Sequence, residues 1–123
     1  MKKYNIKNYI RYKEDVAESI RRIHKRDNFS DYTNEELKIL FLPLVENIAR
    51  KFSTSQQASG VMSIMDIIQS GSIGLNLAVE RIDKELLNES EDQEKSLKSF
   101  LAKRIRGHIR RTIDINRGNM RIP

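Results

Sequence analysis

The stretch RIRGHIRR, residues 104–111, sets Arg104, Arg106, Arg110 and Arg111 around Ile105 and Ile109, with Gly107 and His108 between them. A planar guanidinium matches phosphate oxygens and stacks on aromatic rings. Solubility alone asks for neither property. On a wheel at about 100° per residue, Leu97, Leu101, Ala102, Ile105, Ile109 and Ile113 share one arc, with His108 and Thr112 among them. The opposite arc carries Lys103, Arg106, Gly107, Arg110, Arg111 and Arg117, and Phe100 falls between Gly107 and Arg111. Cations that track phosphates, beside a ring that stacks on an unpaired base, are the chemistry of single-stranded nucleic-acid binding. The alternative is a solvated basic face, with Phe100 tucked against the acidic segment before the helix.

A second pattern lies upstream. Asp66, Gln69, Ile73, Asn76 and Glu80 recur at spacings of three and four, opposite a narrow seam of Ile64, Ile68, Gly71, Leu75, Ala78 and Ile82. Acids, amides and one isoleucine on a stripe can contact another helix; a plain exposed face with one stray isoleucine is the blander reading. Catalytic signals are weak. His24 and His108 are far apart, and no metal-ligand spacing, phosphate loop or nucleophile motif occurs. The carboxylates of NESEDQE read as a solvated loop rather than a cation site. No catalytic residue, metal or cofactor is expected.

These faces need helices to present them. With 123 residues, 38% apolar and 33% charged, the chain suits one soluble domain with a small core. It has no cysteine, which excludes disulfides and thiolate metal sites and fits a reducing cytoplasm. No run approaches the ~20 apolar residues of a membrane span, and MKKYNIKNYI lacks the apolar core expected of a signal peptide. The net charge of +6 is concentrated in residues 96–123, where eight basic residues face only Asp114, just after the acidic DKELLNESEDQEK. Such a gradient points to a polyanion partner.

Two prolines, five glycines and periods near 3.6 argue for an all-α bundle of about four helices. A first helix is expected over residues 8–26 on Ile10, Val16, Ile20 and Ile23, with DNFSDY as a turn. Thr33 and Glu36 form a capping box for a second, which Pro43 should kink or restart, and the polar STSQQASG ends it. Ser63 and Asp66 cap the third, in which Gly71 and Gly74 permit close backbone approach. The fourth should run from about Ser96 to Ile115, with Gly118 and Pro123 as stop signals. Residues 1–32 form an N-terminal helical segment of unassigned role, and 33–123 the main domain.

FLPLVENIARKF, IMDIIQSGSIGLNLAVERID, RIRGHIRR and the closing MRIP together resemble region two of bacterial RNA polymerase sigma factors, from about Glu36 to Pro123 and in the family's order. The third-helix string is the most specific part, through Asp66, Ile68, Gln69, Gly71, Ile73, Gly74, Leu75, Ala78 and Val79. "PLV" before "IA", and "RIRG", are closer to the alternative, flagellar and stress, types. The resemblance implies that the third helix binds the coiled coil of the polymerase's largest subunit through Asp66, Gln69, Ser70, Ser72, Asn76 and Glu80, and it accounts for an exposed Ile73. It implies that the last helix recognises and helps to open the promoter −10 element. Phe100 would stack on the flipped-out adenine of the single-stranded non-template strand, and Lys103, Arg104, Arg106, Arg110, Arg111 and Arg117 would hold DNA. Two departures stand out. The family's duplex-wedging tryptophan pair is Lys103 and Arg104 here, and a longer acidic loop replaces an aromatic-rich turn; both argue against strong intrinsic melting. The expectation is either a domain of a longer protein or a minimal, phage-type factor, with room for a co-activator.

Two rival functions remain. A stand-alone DNA-binding regulator would use the third and fourth helices as a helix-turn-helix, which the long stretch from Ile82 to Lys95 opposes. A polymerase-binding interaction protein would use the third-helix face and no DNA.

Overall fold

Local chemistry starts the helices where the sequence places them. Thr33 Oγ1 accepts from the Glu36 N–H while Glu36 reaches back to the Thr33 N–H, and Ser63 with Asp66 repeats the device. In the computed structural model, residues 3–53 and 62–120 are described, with side chains for 7–53 and 62–116. The helices are α1 Lys3–Arg21, α2 Asn34–Leu40, α3 Leu42–Ser53, α4 Ile64–Val79, α5 Lys84–Asn88 and α6 Gln93–Met120, with a 3-10 turn at Phe29–Asp31. Among the described residues there is no strand, so the all-α class holds.

Pro43 acts as expected. The helix stops at Phe41 and restarts, with Pro43 in the first turn of α3, where a missing N–H costs nothing. Other boundaries differ. α1 begins earlier and ends at Arg21, because the Arg22 and Ile23 N–H groups fold back onto the Ser19 and Ile20 carbonyls. Tyr9 and Tyr12 anchor it to the core, Ile23 packs there just beyond its end, and Ile10 is exposed. α6 runs through Gly118 to Met120. Of STSQQASG, Ser53 is the last residue of α3, and residues 54–60, like Pro123, lie outside the described residues.

The expected loop before α6 is partly helical, and its acids have structural work. The Asp83 side chain accepts from the Glu85 and Leu86 N–H groups to start α5; Asp92 accepts from the Lys95 N–H to start α6. Ser30 ties the 3-10 turn to this region, its N–H donating to Gln93 and its hydroxyl lying 3.2 Å from Asn88 Oδ1.

α3, α4 and α6 pack mutually around the core. All six apolar residues on the inner arc of α6 are buried. α4 is covered on two sides, so its buried stripe is wider than the narrow seam: Ile67, Ser70, Gly74 and Val79 join it, while Ile82 is half-buried. Gly71 makes this approach feasible, since a Cβ there would stand 2.8 Å from Val45 Cγ1 and 3.2 Å from Ile109 Cδ1. Gly71→Ala should therefore lower stability by about 1 kcal/mol or more despite the helix propensity it gains. Thermal unfolding checks this; an unchanged or higher Tm would refute the close-packing role.

Candidate nucleic-acid interface

α6 carries its basic side chains on two flanks. Lys103, Arg104 and Arg111 line a groove of about 680 Å³ with Phe100, Gly107 and His108; across it stand Gly74, Leu77, Ala78 and Arg81, from α4 and just beyond it. Arg106 and Arg110 are exposed outside that groove, and the Arg110 guanidinium lies 5.9 Å from the Phe52 ring of α3. The Arg117 side chain lies outside the described residues.

The groove has four cationic walls and no carboxylate. Arg81, Lys103, Arg104, Arg106, Arg110 and Arg111 form no ion pair with any described residue. Elsewhere Lys13, Arg21, Arg22, Arg26, Lys38, Arg50 and Lys98 all have carboxylate partners. Like charges left unneutralised within a Debye length of about 10 Å repel one another, and an anion relieves that repulsion.

Phe100 lies between the two settings the sequence offered for it. Its half-buried ring is a wall of the basic groove and also of a mostly apolar pocket of about 500 Å³ formed with Ile82, Leu86, Leu87 and Leu97. The Arg104 guanidinium covers the ring at 4.4 Å. A base stacking on that face must therefore displace Arg104 or stack beyond it. Spacing of i, i+4 on a helix permits this contact, and the wheel already contained the signal.

The α4 face is narrower than the sequence suggests. Asp66, Gln69, Ile73 and Asn76 are exposed, and Leu77, also exposed, extends the apolar part of the stripe. Ser70 does not belong to it. It is 5% exposed and hydrogen-bonds Thr112 Oγ1 at 2.7 Å and His108 Nδ1 at 3.1 Å, joining α4 to α6. Ser70 follows buried Ile67 by three and precedes buried Gly74 by four, so position outweighs residue type. Ser72 is half-buried beside Tyr12 of α1, whose hydroxyl burial pushes above its usual pKa. Glu80 is exposed, but Lys38 at 2.7 Å and Asn34 at 3.3 Å engage its carboxylate. The Lys38 hydrogen bond and charge hold that carboxyl below its usual range.

One important residue escaped the sequence reading. Glu46, 8% exposed inside the apolar run of α3, accepts from the Tyr9 hydroxyl at 2.6 Å and pairs with Lys13 at 3.5 Å and Arg50 at 3.3 Å. An acid at a core-side position of an amphipathic helix was the available signal, because such a group needs partners. Burial first, then the hydrogen bond and charge of Glu46, push Tyr9 up to about 12. A raised folded-state value means that the bond's contribution is complete below the unfolded value near 10 and is lost as pH rises through about 12. Urea denaturation at about pH 9 and about pH 11 should show stability falling, and falling less in Tyr9→Phe. An equal fall in that variant would remove Tyr9 as the cause.

Among the described residues no helix is long and apolar enough to cross a membrane, and no three His, Asp or Glu side chains gather as a metal site. Compared with known proteins, the chain matches no family model, no curated protein and no solved structure.

Proposed function

We propose that this chain is a transcription initiation factor of the sigma type. It binds the core of bacterial RNA polymerase, through the coiled coil of the largest subunit, and recognises and opens the promoter −10 element. The observation that carries the reading is the cluster of Arg81, Lys103, Arg104 and Arg111 around Phe100, none of them ion-paired to a described residue, whereas seven cations elsewhere have carboxylate partners. A second exposed surface, Asp66, Gln69, Ile73 and Asn76 on α4, leaves room for a protein partner on the same rigid helix pair. Phosphate contacts supply most of the DNA affinity, and a base at Phe100 adds selectivity; base–aromatic stacking contributes ~1–3 kcal/mol.

A stand-alone helix-turn-helix regulator fits less well, because α5 and the caps around it fill the connection between α4 and α6. The rival that remains is a polymerase-binding protein that does not use DNA, for which the Arg104 cover on Phe100 speaks. Replacing Arg110 and Arg111 together by Gln separates the two. An initiation factor loses promoter opening, read as reactivity of unpaired thymines, while it still binds core. Unchanged opening in the folded variant would leave the α6 cations without their proposed role.

A further inference from the structure

Two faces of opposite charge adjoin on this chain, and each carries an exposed leucine. Residues 83–94 hold six acidic side chains against Lys84 alone, and Lys84 Nζ donates to the Tyr32 carbonyl at 2.6 Å. Asp83 and Asp92 cap helices, and Glu94 pairs with Lys98. Glu85, Glu89 and Glu91 are exposed and form no ion pair with any described residue. Among them Leu86 is 66% exposed, on the rim of the mostly apolar pocket of Ile82, Leu87, Leu97 and Phe100.

The neighbouring face has the opposite sign. Leu77, 57% exposed, stands in the groove with Lys103, Arg104 and Arg111. Arg81 and Phe100 line both cavities, so the two faces share a border. Even so, no carboxylate of the first face pairs with a cation of the second within the chain. DNA does not account for the acidic face, since Asp83 and Glu89 on the pocket rim repel phosphate. Solubility does not account for it either, because a soluble surface intersperses its charges and avoids apolar patches. A surface whose two halves complement each other can pair with its own copy about a two-fold axis, which is the condition for an isologous dimer.

We propose that the chain forms a symmetric dimer in which α5 of each copy lies on the basic groove of the other. Leu86 packs against the partner's Leu77, and Glu85 and Glu89 meet the partner's Lys103, Arg104 and Arg111. The two-fold axis runs beside Phe100 and Arg81, which belong to both faces. Each groove is then closed by the other copy, so DNA and self-association compete for the same cations. The dimer stands on its own; only the competition rests on the proposed DNA-binding role.

The test is sedimentation equilibrium of the full chain at low salt, from about 1 μM to about 200 μM, a range suited to a modest, partly polar interface. The mass should rise from one chain towards two. Glu85→Lys with Glu89→Lys reverses the acidic face, and Lys103→Glu with Arg111→Glu reverses the groove. Each double variant alone juxtaposes like charges and should self-associate at least about tenfold more weakly. Mixed in equal amounts they should dimerise again, because both contacts of the mixed pair join opposite charges. A variant that merely failed to fold would give no such recovery. A wild type that stays monomeric, a mass that climbs past two chains, or a mixture that stays monomeric overturns the dimer. Adding a single-stranded oligonucleotide should return wild type to monomers bound to DNA. DNA bound to an intact dimer overturns the competition alone. If the mixture recovers but wild type binds no DNA, with or without core polymerase, the proposed function falls and the dimer remains.

Discussion

Replacing Asp66 by Arg and Gln69 by Ala should abolish co-migration of the chain with purified core polymerase on gel filtration. Both side chains are exposed on α4, so the change alters a surface while the core beneath keeps its packing. Reversing a charge at the centre of an interface and removing its neighbouring amide each cost about 2 kcal/mol or more, which together weaken binding beyond about 100-fold. Asp66 also closes the capping box with Ser63, so part of the loss could arise from a frayed α4. Gln69→Ala with Ile73→Asp leaves that cap intact and should lose core binding as well. Retained co-migration of both folded variants would remove α4 as the polymerase-binding surface.

Neutralising the groove should have an effect of similar size on DNA. Lys103, Arg104 and Arg111 share it with Arg81, and each contributes counterion release if it sits on a phosphate. For single strands the slope of log affinity against log salt changes by about 0.7 per contact, so the triple Gln variant should lose a slope of about 2. At 0.1 M salt that corresponds to about 100-fold weaker binding, with the two curves converging towards 1 M. A parallel downward shift at every salt concentration would instead indicate damage to the fold. Arg104 has a double role here. Removing its guanidinium takes away a cation but also uncovers Phe100. Arg104→Gln alone should therefore lose less than Lys103→Gln or Arg111→Gln.

The parts of this molecule that were legible in its sequence are those decided within one or two helical turns. Thr33 with Glu36 and Ser63 with Asp66 act through backbone groups three residues away, and Pro43 acts on its own turn, so spacing alone determines the outcome. The inner arc of α6 was equally legible, because six apolar residues at helical spacing have only one side to bury. What was not legible depends on partners distant in the chain. Tyr9 meets Glu46 across 37 residues and Ser70 meets Thr112 across 42; no local pattern announces either. The acids before α6 read as loop charge, although Asp83 and Asp92 are caps, because the five-residue α5 is too short to show periodicity. The candidate site was legible in its charge and in Phe100. Its division into a groove and a second flank was not, since α4 supplies the opposite wall.

One experiment decides between an initiation factor and the alternatives. A labelled fork-junction DNA, duplex upstream with an unpaired non-template strand downstream, is titrated with core polymerase alone, with the chain alone, and with both together. If the proposed function is right, the mixture forms a salt-resistant ternary complex, while the chain alone binds weakly and core alone shows no strand preference. If the mixture binds no better than core alone, or the chain binds equally well without core, it is not an initiation factor of this kind.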